Sequence, residues 1–201
     1  MKTESLVSAI NASILSAIDL RTATLHAPTF NGNEMAYLKE CIESTYVSSV
    51  GAMVTDFEEA ISRYTGAKYV VAVVNGTAAL HLSLLANGVG AGDEVLIPAL
   101  SFVATANAVS YCGATPHFVD VDLRRMTVSA EFLDEYLESI STVNNGICIN
   151  NATGSVIRAM IPMHTFGHPA DLDGLQRVAQ KYGLVMIEDA AESLGSWYKG
   201  R

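Results

Sequence analysis

The sequence predicts an α/β fold in which a mainly parallel β-sheet is flanked by helices. Short apolar runs alternate with segments of helical periodicity along most of the chain, a pattern typical of a parallel sheet covered by helices on both faces. The run Leu184–Glu192 is the most informative: four apolar residues are followed abruptly by acidic and small residues. A short apolar run bounded in this way predicts a buried parallel strand.

The N-terminal third of the chain predicts three helices. Apolar residues recur at helical spacing over residues 5–20 and 32–44, and a loop rich in Ser and Gly precedes a third helix through Phe57, Ile61 and Tyr64. Strands and helices alternate after that. The predicted strands are 69–74, 94–97, 115–119, 157–161 and 184–188, and the predicted helices are 77–87, 102–112, 129–140 and 171–182. The Asn-rich segment 142–155 predicts an exposed excursion.

Composition narrows the class of protein. The chain has 201 residues, half of them hydrophobic, and a net charge of -9. An acidic surface argues against non-specific binding to nucleic acid or to anionic membranes. Cys41, Cys112 and Cys148 are widely spaced, which argues against a disulfide framework or a zinc site and fits a reducing cytoplasm. The N-terminus lacks the unbroken apolar segment of a signal peptide, so we expect a cytoplasmic globular protein.

Asp189 follows the apolar run at 184–188. Ligands of open α/β sheets bind at the carboxyl ends of the strands. A half-buried acid at that edge needs a cationic partner or a proton to offset its desolvation. Asp189 is therefore a candidate for binding a cationic ligand, although an acid that caps the next helix or turn would leave the same pattern.

The segment Asn75-Gly-Thr77 predicts a tight turn between a strand and a helix. Thr77 is expected at the helix N-cap, where free N–H groups and the helix dipole favour an anion such as phosphate. Gly76 would let the backbone approach that anion closely. The same three residues also serve as an ordinary turn and cap in many βα units, so this segment alone leaves both interpretations open.

Two other segments allow a ligand but do not require one. Phe102, just beyond the strand at 94–97, could stack on a planar ring, although core packing at the start of a helix is the more common role. His164 and His168 are four residues apart, but Gly167 and Pro169 break the helix that would place both imidazoles on one face. We therefore expect the histidines to line a site or to be structural, and no metal.

Taken together in chain order, the segments resemble those of the DegT/StrS family of sugar aminotransferases. These enzymes have the large domain of fold type I and use pyridoxal 5′-phosphate (PLP). The resemblance extends from about Leu25 onward and is strongest to members that aminate nucleotide-linked 4-keto-6-deoxy sugars, such as those making legionaminic-acid precursors or perosamine. The segments that carry it are Asn75–Leu82, Pro98–Ala108, Glu188–Ser193, Ser48–Gly51 and His164–Asp173.

The resemblance implies a role for each matching residue. Thr77, with the amides of Gly76, Thr77 and Ala78, would bind the phosphate of PLP. Phe102 would stack on the pyridine ring. Asp189 would pair with the pyridinium nitrogen and keep it protonated, so that the ring acts as an electron sink.

Four further residues match less firmly. Glu192 matches a position beside the pyridine ring where many members have Gln or His. An ionised Glu could not donate a hydrogen bond to the phenolic oxygen, so Glu192 is either protonated or has a different role. Ser48, Ser49 and His164 match segments near the substrate.

Family members also use a lysine that forms a Schiff base with PLP, in a Ser-Phe-x-x-x-Lys segment. The chain contains no such segment, and its only lysines are Lys2, Lys39, Lys68, Lys181 and Lys199. Without that amine, the covalent link to the cofactor and the base of the reaction would both be missing. We therefore expect an N-terminal piece of a longer enzyme, with a helical extension at 1–24 and part of the large domain at 25–201, lacking the later strands and the small domain.

By resemblance, the complete enzyme would transfer an amino group, with glutamate as the expected donor, to a nucleotide-linked sugar for surface-polysaccharide or glycan synthesis. It would be a homodimer that binds neither nucleic acid nor membranes. Two alternatives stay open: a non-catalytic remnant or partner that binds PLP, and a relative in which His replaces the lysine and the sugar is dehydrated.

Overall fold

A computed structural model describes residues 3–17 and 27–200 of the chain. The chain divides into two compact units, Met1–Ala72 and Val73–Arg201. The described part of the first unit is helical, and the second unit contains the sheet.

The first unit contains the helices α1 (Thr3–Ala17), α2 (Glu34–Glu43) and α3 (Ala52–Thr65). Gly66 ends α3 with a left-handed φ of 75°, which glycine adopts without a Cβ penalty. The three predicted helices are confirmed, and residues 18–20 of the first prediction lie outside the described residues.

The predicted strand at 69–74 is wrong. The segment has no strand assignment, and Tyr69, Val71 and Val74 are largely exposed. A strand needs a neighbouring strand to satisfy its backbone N–H and C=O groups, and no described strand pairs with this segment. The N–H of Ala72 instead donates to Oε1 of Glu58 on α3, at 2.7 Å.

The second unit is built on a sheet. Its strands are β1 (Glu94–Pro98), β2 (Thr115–Val119), β3 (Ser141–Asn144), β4 (Ile147–Asn150), β5 (Val156–Met160) and β6 (Val185–Met186). The order is β2-β1-β5-β4-β3, and β6 also pairs with β5. β1 runs parallel to β2 and β5, and β5 runs parallel to β6. The mainly parallel sheet predicted from the sequence is confirmed.

Helices cover both faces of this sheet: α4 (Gly76–Ala86), α5 (Val103–Tyr111), α6 (Ala130–Ile140) and α7 (Leu172–Tyr182). Successive residues of a strand point to opposite faces. Val95 and Ile97 of β1 pack in one apolar cluster with α4 and α5, whereas Leu96 packs in another with α6 and α7. Burial of both faces explains why β1 reads as a nearly continuous apolar run.

The segment 142–155, predicted as an exposed excursion, is largely exposed but is not irregular. β3 and β4 form an antiparallel hairpin there, and β4 pairs with β5. Asn145 and Gly146 connect the strands with φ values of 51° and 77°. Two consecutive positive φ values fit a two-residue turn whose twist matches the strands, and Asn-Gly is the favoured pair for it. The asparagines therefore mark a turn within the sheet.

Candidate functional site

A cavity of about 490 Å³ lies in the second unit, at the carboxyl ends of the parallel strands. Residues that follow β1, β5 and β6 line it, together with the first residues of α4. This is the edge of an α/β sheet where ligands bind. The lining residues are Gly76, Thr77, Leu80, Leu100, Ser101, Phe102, Ala104, Met163, Thr165, Phe166, Asp189, Ala191 and Glu192.

Asp189 is buried, with 7% of its surface exposed, yet it lines this cavity. Its backbone is fixed to the strand-end region: the N–H of Asp189 donates to Pro162 O at 2.9 Å, and the N–H of His164 donates to Asp189 O at 3.1 Å. Its carboxylate accepts the hydroxyl of Thr105 on Oδ2 at 2.7 Å and the N–H of Ala191 on Oδ1 at 3.3 Å.

Those two donors are neutral. No Lys, Arg or His side chain pairs with the Asp189 carboxylate within the described ranges. Desolvating an acid without a cation is unfavourable, and a cation beside it favours the ionised form. The cavity in front of Asp189 is therefore chemically suited to a cationic group.

The N-terminus of α4 forms another wall of the cavity. The N-cap is Asn75 and not Thr77, which corrects the sequence prediction: Oδ1 of Asn75 accepts the N–H of Ala78 at 2.9 Å. The amide of Ala78 is thus already bonded within the helix cap. The N–H groups of Gly76 and Thr77 lie in the first turn, where no carbonyl of the helix can accept them. Both residues line the cavity. These two amides and the Thr77 hydroxyl are the groups available to an anion.

Gly76 is not required by the backbone or by packing. A Cβ built on it would meet no heavy atom within 4 Å, and its φ lies outside the left-handed region. Glycine is the least favourable residue for a helix apart from proline. Open space beside a free helix N-terminus is what an anion in close contact with the backbone needs.

Phe102 occupies the N-cap position of α5, and 67% of its surface is exposed. Core packing, the more common role for such a residue, would bury it. Its ring lines the same cavity as Asp189 and Thr77. The structure thus brings together the acid, the helix N-terminus and the aromatic residue singled out from the sequence.

Glu192 lines the cavity and contacts a strained turn. Phe166, in the 3-10 turn Thr165–Gly167, has φ 54° and ψ 29°, a left-handed conformation that is rare for bulky residues. The Phe166 N–H donates to Oε2 of Glu192 at 2.8 Å. In this arrangement the Glu192 carboxylate is a hydrogen-bond acceptor that holds the turn.

His164 lies elsewhere. It is 4% exposed and lines a different cavity, with Glu188 and Tyr198. Its Nδ1 accepts the N–H of Ala170 at 3.2 Å, and its Nε2 lies 3.0 Å from Oε2 of Glu188. A nitrogen that accepts a backbone N–H carries no proton, so Nε2–H donates to Glu188. Both ring nitrogens therefore hydrogen-bond to residues that follow β5 and β6.

Ser48 and Ser49 belong to the first unit. They lie in the loop between α2 and α3, where Ser48 lines a separate cavity of about 480 Å³ formed by that unit alone. The three residues matched to the substrate region, His164 and the two serines, are thus not among those lining the Asp189 cavity.

The residues of the site that the sequence interpretation did not name include Ser101, Thr105 and Phe166. Ser101 and Phe166 line the cavity, and Thr105 contacts Asp189 from behind it. A serine and a threonine four residues apart at a predicted helix start were a usable signal, because that spacing places both on one side of the first turn. Nothing in the local sequence indicates the positive φ of Phe166.

None of the described lysines lines the cavity. Lys181 pairs with Asp134 and Lys199 pairs with Asp173, while Lys39 and Lys68 belong to the first unit. Among the described residues there is also no group of three or more His, Cys, Asp or Glu side chains that could hold a metal ion. No described helix is long and apolar enough to cross a membrane.

Comparisons with known proteins agree on one family. A model of the DegT/DnrJ/EryC1/StrS aminotransferase family matches residues 28–201. A GDP-perosamine synthase from Caulobacter vibrioides is 41% identical over 183 residues, which are 91% of this chain and 45% of that protein. The chain thus spans about half the length of the curated relatives it matches.

Solved structures give the same result. An aminotransferase from Psychrobacter cryohalolentis has a TM-score of 0.74 and 30% identity, covering 89% of this chain and 42% of that one. The crystal structure of NtdA from Bacillus subtilis with bound cofactor PMP has a TM-score of 0.69 and 27% identity, covering 87% of this chain and 39% of that one.

Proposed function

The chain belongs to the DegT/DnrJ/EryC1/StrS aminotransferase family, and we propose that it forms the cofactor-binding part of a PLP-dependent enzyme that aminates a nucleotide-linked 4-keto-6-deoxy sugar. Glutamate would be the amino donor, and the complete enzyme would be a cytoplasmic homodimer. Residues 25–201 would be part of its large domain, preceded by a helical extension at 1–24. The name of the Caulobacter relative, a GDP-perosamine synthase, supports an amino sugar linked to a nucleotide as the product.

One observation carries the proposal: a buried carboxylate without a cation faces a cavity that also contains a free helix N-terminus. PLP and its amine form, pyridoxamine phosphate (PMP), combine a phosphate, a flat ring and a ring nitrogen that can be protonated. The lining residues Gly76, Thr77, Phe102 and Asp189 offer one partner for each of these parts. The fit therefore rests on the donor set of the cavity.

Each residue then has a defined task. The amides of Gly76 and Thr77 would bind the phosphate, because they are the free N–H groups at the positive end of the α4 dipole. Phe102 would stack on the ring and exclude water from one face. Asp189 would hold the proton on the ring nitrogen. When bound, PLP supplies the electron sink that makes transamination possible.

Glu192 would act as an acceptor. Its Oε2 already receives the N–H of Phe166, so the carboxylate does not need a proton to be satisfied. We propose that Glu192 holds the Phe166 turn beside the ring, and that it does not donate a hydrogen bond to the phenolic oxygen.

A second function, non-covalent cofactor binding without catalysis, is favoured by the positions of the lysines. No described lysine lines the cavity, so none of the described residues would place an amine beside the cofactor. A titration followed by borohydride reduction separates the two possibilities. Non-catalytic binding predicts that PLP binds but is lost on denaturation after reduction, whereas a covalent enzyme keeps one reduced PLP per chain.

The proposed site itself is tested by titrating the purified protein with PMP. We expect saturable binding that Thr77→Val weakens, because the hydroxyl donor is removed. Thr115→Val is a matched control on an exposed strand position away from the cavity, and it should bind like the parent. Absence of PMP binding by the parent protein would refute the proposed site.

The reaction is tested with a nucleotide-linked 4-keto-6-deoxy sugar and glutamate. Mass spectrometry of the products distinguishes amination of the sugar from loss of water. Amination supports the proposal. Loss of water without amination would instead support the dehydratase alternative.

A further inference from the structure

Thr105 is fully buried in the first turn of α5 and does not line the cavity. Its hydroxyl nevertheless lies 2.7 Å from Oδ2 of Asp189, 84 residues later in the chain. A carboxylate can only accept, so the Thr105 hydroxyl donates its proton to Asp189. A hydrogen bond of this length to a charged oxygen is among the stronger ones in proteins.

A second hydroxyl completes the arrangement. The Ser101 hydroxyl lies 3.0 Å from Oγ1 of Thr105 and 3.5 Å from the sulfur of Met163. It donates to the oxygen, which is the nearer and the stronger acceptor, and Ser101 itself lines the cavity. Since the only proton of Thr105 goes to Asp189, its oxygen is left to accept from Ser101. The two hydroxyls form a directed chain that ends on the carboxylate, and such chains strengthen each member.

We propose that Thr105 is the positioning residue of the site: it keeps the Asp189 carboxylate ionised and oriented toward the ring nitrogen of the cofactor. This inference rests on the proposed function. A buried acid beside a pyridine nitrogen can exist as an ionic pair, with the proton on the ring, or as a neutral pair, with the proton on the acid. The Thr105 hydroxyl hydrogen-bonds the carboxylate and therefore favours the ionic pair.

The test compares PMP binding by the parent protein, Thr105→Val and Thr105→Ser. Valine has nearly the same shape as threonine but removes the donor, whereas serine restores the hydroxyl. We expect Thr105→Val to bind PMP about tenfold more weakly, which corresponds to about 1.4 kcal/mol. The absorption spectrum of the bound ring should also change, because a larger share of the complexes would hold the proton on Asp189 and not on the ring nitrogen. Thr105→Ser should recover most of both properties.

Thr127→Val is the matched control. Thr127 is also fully buried, and its hydroxyl donates to a backbone oxygen, Met163 O, at 2.7 Å. Its loss should lower stability in the same way as Thr105→Val but leave the protonation of the bound ring unchanged. Thermal unfolding of each variant reports that common structural effect.

The outcomes separate the two ideas. If the parent binds no PMP, the proposed function fails and this inference fails with it. If the parent binds but Thr105→Val matches it in affinity and spectrum, only the role of Thr105 is refuted. If Thr127→Val changes the spectrum as much as Thr105→Val, the change reflects a general loss of stability. The inference is then again refuted.

Discussion

The two ends of the sheet each contain a buried carboxylate, and the two carboxylates differ in their hydrogen-bond partners. At the amino end, Glu94 accepts hydrogen bonds from Thr153 at 2.6 Å, Asn150 at 2.9 Å and His117 at 2.6 Å. At the carboxyl end, Asp189 has one short hydrogen bond, from Thr105, and a longer one from Ala191.

The difference separates an acid whose partners all lie within the fold from an acid that faces open space. Burial alone does not, because Glu94 is 4% exposed and Asp189 is 7% exposed. The two acids differ in the number of short hydrogen bonds that their carboxylates accept and in the open space beside each carboxylate. Glu94 joins β1 to β2, β4 and the loop after β4, whereas Asp189 faces a cavity. The first arrangement serves stability, and the second leaves room for a ligand.

The largest effect on stability is expected from Glu94→Ala. The substitution leaves His117, Asn150 and Thr153 without their common acceptor and opens a small cavity. We expect the free energy of unfolding in denaturant to fall by about 3 kcal/mol. Glu135→Ala, at an exposed position of α6, is the control and should change it by less than about 0.5 kcal/mol. A loss of less than about 1 kcal/mol for Glu94→Ala would remove the contrast between the two acids.

The stability of the fold is also expected to depend on pH through Glu94. Burial raises the pKa of Glu94, but the hydrogen bonds from Thr153, Asn150 and His117 outweigh it and set the pKa below the ordinary value of 4.5. A lowered pKa stabilises the fold above the unfolded value and loses this contribution as the pH falls through the folded value. We expect Glu94→Gln to be less stable than the parent by about 2 kcal/mol at neutral pH, with the difference narrowing below pH 4.5. Denaturant unfolding between pH 7 and pH 3 measures it, and a constant difference would contradict the assignment.

At the carboxyl end, Gly76→Ala should weaken binding without weakening the fold. The added methyl group enters the open space where the phosphate is proposed to lie, so we expect about tenfold weaker PMP binding, about 1.4 kcal/mol. Alanine is the better helix residue, so the free energy of unfolding should be unchanged or rise by up to about 1 kcal/mol. Gly90→Ala is the control: Gly90 also has open space around its Cβ position and no positive φ. Unchanged PMP binding by Gly76→Ala would contradict a phosphate at this helix end.

The smallest effect is expected from Arg158→Lys at the amino end. Arg158 donates to both carboxylate oxygens of Asp93, through Nε at 2.6 Å and Nη2 at 3.0 Å. Lysine cannot reproduce this two-point contact. Because the Arg158 side chain is 39% exposed, the loss of unfolding free energy should stay near about 1 kcal/mol. The exposed pair Arg63–Glu59 provides the control, and Arg63→Lys should have almost no effect.

The sequence was sufficient for the parts of the fold that depend on local patterns. The apolar runs of β1 and β5 predict their strands because both faces of the sheet are buried there. Strand pairing is not local, and segment 69–74 has the composition of a strand but no described neighbour to pair with. The hairpin at 141–150 was missed because its asparagines were interpreted by composition, although Asn145-Gly146 is itself a turn signal.

The candidate site likewise contains residues that local sequence patterns indicate and residues that they do not. Asp189, Phe102 and the turn at Asn75 were singled out because each lies at the end or the start of a recognisable element. The spacing of Ser101 and Thr105 is a local signal, but the contact of Thr105 with Asp189 is not, because it joins residues 84 positions apart. The N-cap was assigned to Thr77 two residues too late, since Asn75 is an equally good cap and only the backbone geometry decides between them.

We propose that Asp189, unlike Glu94, pairs with a group outside the fold, the ring nitrogen of a bound cofactor. Asp189→Asn tests it most directly, since the amide has the same shape but no charge. We predict that PMP binding measured by titration falls about a hundredfold, about 2.7 kcal/mol, while the free energy of unfolding stays within about 0.5 kcal/mol of the parent or rises. Undiminished PMP binding, or a loss of stability as large as that of Glu94→Gln, would contradict the account.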